Sequence, residues 1–255
     1  MDRQLEGKTA LVTGASRNLG RAIAERLAAS GALVALNYAS NDAAAQDTLA
    51  TIEQAGGQAF LLKQQLGGDG SAEALAATLT AELERHTGSP ELDILVNNVG
   101  GGEYGTIATT TPDLFDTTVR NNLRTPFFVT QQLLPHLRDG GRIVNLSSAA
   151  SRLALPETIS YCMCKAAVDI FTLVMAKELG PRRITVNAVL PGFNETESNE
   201  REANDPATRK AIEDMTLLGR FGKPGDIADV VHALATPALG WVTGQCIEAS
   251  GGFKF

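Results

Sequence analysis

Cysteine is scarce in this chain. Cys162, Cys164 and Cys246 are the only three, too few and too poorly spaced for a disulfide framework or a zinc site. Cys162 and Cys164, two residues apart, point to different faces of a helix and read as small packing residues, not as a redox pair. A basic excess is missing as well: the formal charge is −7 and the pI about 5.1. No positive field is therefore available for nucleic acid or an anionic membrane surface. The polar start Met1-Asp-Arg-Gln-Leu-Glu-Gly7 gives no sign of a secretory signal. No apolar run approaches the ~18–20 residues of a membrane helix, and no internal repeat or low-complexity tract is present. The expectation is a cytoplasmic protein with neither nucleic-acid nor membrane partners.

What is there suits one enzyme domain. The 255 residues, 44% of them hydrophobic, supply ample material for a single core, and α/β domains of this size are routinely undivided. Patterning predicts strands near 8–13, 32–37, 58–63, 92–96, 141–146, 183–190 and 244–248. Helices are predicted near 18–29, 41–55, 71–86, 111–137, 155–179 and 224–235. Short Val/Leu/Ile-rich strands alternating with helices imply a parallel sheet covered on both faces, a doubly wound α/β fold with right-handed crossovers.

Two local patterns carry chemistry. In Tyr161-Cys-Met-Cys-Lys165 the tyrosine and lysine are i and i+4 on a predicted helix, so their side chains share a face. An ammonium beside a phenol favours the phenolate and is expected to lower a pKa that is otherwise about 10, giving a general acid/base near working pH. Ser148 ends the strand Arg142-Ile-Val-Asn-Leu-Ser-Ser148, thirteen residues upstream. At the other end, Lys8-Thr-Ala-Leu-Val-Thr13 reads as a buried strand, followed by Gly14-Ala-Ser-Arg-Asn-Leu-Gly20 and a helix with the stripe Leu19, Ile23, Leu27. Strand, glycine-rich turn and helix N-terminus together make a pyrophosphate site, lined by Gly14, Ser16, Arg17, Asn18, Leu19 and Gly20. Asn18 stands where a glycine is usual; asparagine caps helices and tolerates positive φ, so the turn is expected to survive.

These residues, with Asn97-Asn-Val-Gly100, Pro191-Gly-Phe-Asn-Glu-Thr196, Leu218-Gly-Arg-Phe-Gly-Lys-Pro-Gly225, Trp241-Val-Thr-Gly-Gln245 and Gly251-Gly252, resemble the short-chain dehydrogenase/reductase family. The likeness runs from Thr13 to Gly252, and its tail is similar to bacterial 3-oxoacyl carrier-protein reductases. The resemblance implies a seven-stranded Rossmann sheet in the order 3-2-1-4-5-6-7 and a catalytic set of Asn122, Ser148, Tyr161 and Lys165. Asn121 and Asn122 both compete for the first role. Pro126 favours Asn122, since a proline in a helix frees the carbonyl four residues earlier to hold a water, and Asn122-Leu123 also matches the family's Asn-Leu. By the same resemblance Asn98, Gly100, Tyr161, Lys165, Pro191, Gly192, Asn194 and Thr196 would hold the cofactor's ribose and nicotinamide, with Gly101 and Gly102 beside them. Gln65-Leu66 stand where relatives place an Asp-Val against adenine. A mobile substrate lid is expected at about 193–216.

Cofactor choice is read from charge. An acidic residue ending the second strand would hydrogen-bond the ribose and repel a 2′-phosphate; here the strand end is Leu36-Asn-Tyr-Ala-Ser-Asn41, with no acid before Asp42. Tyr38, Ser40 and Asn41 are neutral there, and Arg17 suits a phosphate. NADPH is therefore expected over NADH. The expected function is an NADPH-dependent carbonyl reductase for a small-molecule ketone, of the 3-oxoacyl thioester or secondary-metabolite kind. An alcohol, sugar or steroid dehydrogenase is the alternative, and a non-catalytic cofactor sensor a third reading. Apolar helices at 111–137 and 155–179 point to a homo-oligomer, most simply a tetramer.

Overall fold

The computed structural model describes residues 3–102 and 104–253. Its strands are β1 (Thr9–Val12), β2 (Leu33–Tyr38), β3 (Gln58–Lys63), β4 (Leu92–Asn97), β5 (Leu137–Leu146), β6 (Thr185–Pro191) and β7 (Cys246–Ala249). They form one sheet in the order β3-β2-β1-β4-β5-β6-β7, with every neighbouring pair parallel, as expected. Parallel strands joined by crossover helices must be covered on both faces, and two cores result. On one face α1 (Asn18–Ala29) and α9 (Pro224–Ala235) lay Ile23, Leu27, Ile227 and Val231 against Val12, Val34 and Val96. On the other, α3 (Ser71–Thr87), α5 (Thr125–Leu133) and α6 (Ile159–Leu179) bury Leu79, Leu83, Leu133 and Leu179 against Leu11, Leu95 and Ile143. Each such side chain contributes about 1.5–3 kcal/mol on burial.

Helix starts follow local chemistry. Asn41 caps α2 (Asp42–Gln54), its Oδ1 accepting from the Ala44 N–H. Thr111 caps α4 (Pro112–Val119) through the Leu114 N–H, with proline in the first turn. The long helix expected at 111–137 is broken. After α4 the residues Arg120–Arg124 form a π-helical turn, in which the Thr125 N–H reaches the Arg120 carbonyl five residues back. Pro126, lacking an N–H, sits just beyond it. The chain then leaves α5 through a tight turn at Leu134–His136, and β5 begins at Leu137, four residues earlier than expected. The helix expected from 155 starts at Ile159, after a short turn at Pro156–Thr158.

The segment at 193–216 is not a bare loop: it carries α7 (Glu200–Asn204) and α8 (Pro206–Met215). Ile212 packs with Phe221 and Phe253 in a small third core. The stretch Pro156–Arg182 is long and apolar enough, by length and composition, to cross a membrane, contrary to the sequence expectation. Within the fold it is the helix packed beside β6 and carries two charged residues that are put to use. Lys165 is buried in the site described below, and Asp169 accepts a hydrogen bond from Ser151 at 2.7 Å.

Candidate active site

The carboxyl ends of β1, β4, β5 and β6 open onto a cleft of about 680 Å³, where the strand order reverses. Thr13 and Asn98 join the first two ends: the Asn98 and Val99 N–H groups donate to Thr13 Oγ1, and Asn98 Nδ2 donates to the Thr13 carbonyl at 2.8 Å. The glycine-rich turn folds tightly against them. A Cβ on Gly20 would lie 2.1 Å from the Gly14 carbonyl oxygen, so no other residue fits without moving backbone. Asn18 has φ +52°, the left-handed conformation expected of it. The cap position falls on Arg17, which makes no side-chain capping bond, and no acid stands in the first turn of α1. Those first N–H groups and the positive end of the helix dipole are thus available to an anion.

Helix α6 presents Tyr161 and Lys165 to the same cleft, and the end of β5 presents Ser148. Ser148 caps a short turn: its Oγ accepts from the Ala150 N–H at 3.1 Å, which leaves its own O–H to donate. Lys165 is 3% exposed. Its Nζ donates to the Leu146 carbonyl at 2.8 Å and lies 5.5 Å from the centre of the Tyr161 ring, over its face. This placement corrects the expectation of a lowered phenol pKa. Burial pushes Tyr161 up, while the neighbouring Ser148 hydroxyl pulls the other way. Burial also brings the Lys165 ammonium down to about 8.

Asn122 is fully buried and lies behind the cleft. Its Oδ1 accepts from the Gly101 N–H at 2.8 Å, and its Nδ2 donates to the Gly101 and Thr118 carbonyls at 3.0 Å. The side chain therefore holds the glycine loop after β4. A Cβ on Gly100 would sit 2.8 Å from Asn122 Oδ1 and 3.0 Å from Lys165 Nζ, so glycine there permits the approach of both.

A chain with these motifs in one cleft can be placed among known proteins. The family profile described as enoyl-(acyl carrier protein) reductase matches residues 14–254. The chain belongs to the short-chain dehydrogenase/reductase family. It is 37% identical to versicolorin reductase 1 of Aspergillus parasiticus over 98% of each chain. Among solved structures it is similar to the angucycline C-6 ketoreductase LanV with bound NADP, at 44% identity and TM-score 0.94, covering 98% of this chain and 96% of that one. It also resembles LugOII, a promiscuous reductase that catalyses keto-reduction at C1 during lugdunomycin biosynthesis. That match has 43% identity and TM-score 0.94, with 99% of this chain and 100% of the other covered.

Most of the residues expected at the short-chain reductase site converge. Gly14, Ser16, Arg17, Asn18, Leu19, Gly20, Tyr38, Asn98, Gly100, Ser148, Tyr161, Lys165, Pro191, Gly192, Asn194 and Thr196 all line the cleft. Four do not. Asn41 spends its side chain on capping α2, and Ser40 is exposed just before it. Leu66 instead packs near Phe128 and Val129 around a separate cavity of about 60 Å³, because its apolar side chain finds core there. Gln65 beside it is exposed. Tyr104, Leu153, Leu155 and Phe253, which were not foreseen, also line the cleft, as do Phe193 and Glu197 from the segment expected as a lid. Glu197 Oε2 pairs with Arg17 Nη1 at 2.6 Å, and its N–H donates to Asn18 Oδ1 at 3.3 Å. No local pattern could announce a contact between residues 180 positions apart.

Proposed function

We propose that the protein is an NADPH-dependent carbonyl reductase acting on a secondary-metabolite ketone. The observation that carries this reading is the convergence of Ser148, Tyr161 and Lys165 with an uncapped helix N-terminus in one cleft. The residues fit a dinucleotide. The α1 N-terminus, which has no side-chain cap, and the compact Gly14–Gly20 turn suit its pyrophosphate. Arg17 is the cation on the adenosine side. The acid that follows β2, Asp42, is held by the Tyr38 hydroxyl at 2.9 Å and by Lys63 at 2.7 Å and does not line the cleft; the acid that does, Glu197, is paired with Arg17, and a 2′-phosphate would compete with it for the guanidinium. LanV, which carries NADP, supports the same choice.

When bound, the nicotinamide supplies a hydride to the substrate's carbonyl carbon. The chain's own residues act on the oxygen. Ser148 donates its hydroxyl hydrogen to the carbonyl, and Tyr161 gives the phenolic proton to the developing alkoxide, leaving a secondary alcohol. Lys165, beside the tyrosine ring, offsets the charge left on the phenol, and Asn122 holds the loop that borders both. A hydroxyl placed to meet a carbonyl oxygen suits reduction of C=O in preference to C=C. Ketoreductases among the relatives support that assignment. A homo-oligomer in the cytosol completes the reading: α6 leaves Met163, Ile170, Leu173 and Val174 exposed, more apolar surface than a monomer usually shows, and three free thiols suit a reducing compartment.

The test is NADPH oxidation against a panel of aromatic and aliphatic ketones, with wild type and Tyr161→Phe. The variant is expected to lose on the order of 10³-fold in turnover while binding NADPH nearly as well, since it removes the transferable proton and keeps the ring, with Lys165 and the Gly14–Gly20 turn still in place to hold the cofactor. More than a tenth of wild-type activity in the variant would overturn the mechanism.

A further inference from the structure

The geometry points to Tyr104 as the specificity-determining residue of this site, a stacking platform that selects planar, fused aromatic ketones over saturated ones. The inference rests on the reading of the cleft as a carbonyl reductase site and extends it to the body of the substrate. Tyr104 follows the glycine loop after β4 and lines the cleft. Its ring meets that of Tyr161 edge to face, with centroids 5.3 Å apart and planes at 65°. Such a contact engages an edge of one ring and a single face of the other, so Tyr104 keeps at least one face free. The residue is 44% exposed, beside a half-buried Tyr161.

The loop is built to hold the ring there. Asn122 grips it at Gly101 from both sides, as described. A Cβ on Gly105 would lie 3.1 Å from both Thr109 Oγ1 and Thr110 Oγ1, so the backbone just after Tyr104 is packed against the threonines that lead into α4. The substrate oxygen must reach Ser148 and Tyr161, which fixes one end of the molecule. Whatever extends outward from that carbonyl passes Tyr104. Leu153, Leu155 and Phe193 also line the cleft and offer hydrocarbon, with no charged group among them. A flat ring system slides between such walls and gains the face of Tyr104. A puckered saturated ring fills the same volume without stacking.

The experiment compares wild type, Tyr104→Phe and Tyr104→Leu on acenaphthenone, which is planar and aromatic, and on trans-1-decalone, a saturated bicycle. An aromatic stack beyond area burial corresponds to roughly 2- to 13-fold in binding. Tyr104→Leu keeps apolar bulk and is expected to lose about fivefold in kcat/KM on acenaphthenone, through KM, with under about twofold change on decalone. Tyr104→Phe should match wild type on both, since the ring and not the hydroxyl carries the effect. Calorimetric titration of 2-naphthol into the same three proteins reads the stack without turnover, and the leucine variant alone should bind more weakly. Equal losses on the two ketones, or a phenylalanine variant that falls with the leucine one, would overturn the proposal. A wild type that reduces neither ketone would instead sink the reductase reading and leave the naphthol titration to decide for or against the stack.

Discussion

Replacing Lys165 by methionine is expected to stabilise the protein in the absence of added cofactor while abolishing its activity. The ammonium is buried, and burial brings its pKa from 10.5 down to about 8. At 1.36 kcal/mol per unit, that difference makes the charged lysine cost roughly 3 kcal/mol of stability wherever it is protonated in both states. Methionine removes the charge at similar length. It also gives up the hydrogen bond to the Leu146 carbonyl, about 1 kcal/mol, and the contact with the Tyr161 ring, about 0.5–1 kcal/mol. A net gain of about 1–2 kcal/mol remains near pH 7, or roughly 3–6 °C in Tm for a chain of this size. The pH dependence has a definite sign. A base whose folded pKa is lowered carries its full penalty below about pH 8 and sheds it as pH rises toward 10.5, because the unfolded chain then holds the extra proton. The advantage of the variant should thus be largest at pH 7 and close to nil by pH 9.5. Thermal unfolding of both proteins at the two pH values decides it. A methionine variant that melts at or below wild type at pH 7, or a gap that does not narrow with pH, refutes the reasoning.

Wild type should use NADPH at least about tenfold better than NADH in kcat/KM, roughly 1.4 kcal/mol, and Arg17→Ala combined with Tyr38→Asp should reverse that order; steady-state kinetics with both cofactors checks it, and equal use of NADH by wild type would count against the charge argument. Glu197→Gln, which releases Arg17 from its ion pair, should lower KM for NADPH by about two- to fivefold at low salt, the scale of an exposed pair, with the gain fading as salt is added; a raised KM contradicts it. Light scattering at micromolar concentration should find an oligomer, most simply a tetramer, and a stable monomer would sink the assignment of the exposed α6 face.

Much of the site was legible because it is local. Tyr161 and Lys165 share a helix face by spacing alone, and the Gly14–Gly20 turn declares itself between an apolar strand and an amphipathic helix, with Asn18 taking the left-handed φ that few other residues accept. The sheet order was legible too, through the family resemblance. Long-range choices were not. Leu66 sits in sequence where an adenine contact was expected, yet its side chain has core to fill near Phe128. The π-helical turn before Pro126 depends on which carbonyl the Thr125 N–H selects, and an apolar pattern across 111–137 is blind to that. Glu197 and Tyr104 reach the cleft only because the chain returns to it from loops with no periodicity of their own.

The lysine shows why adjacency does not fix electrostatics. Spacing of i and i+4 brings Nζ near the phenol, and from that alone a lowered tyrosine pKa follows. The folded chain adds two facts that spacing omits. The Leu146 carbonyl at the end of β5 captures the ammonium at 2.8 Å, and the lysine then lies over the ring face, 5.5 Å from its centre. Lys165 is buried and Tyr161 half-buried, and this desolvation disfavours either charge, raising the phenol and lowering the amine. A phenol raised in this way gives up its proton to a stronger base, which is what a developing alkoxide beside Ser148 supplies. The same enclosure that opposes charging in the resting protein thus makes proton donation by Tyr161 contingent on a substrate oxygen in place.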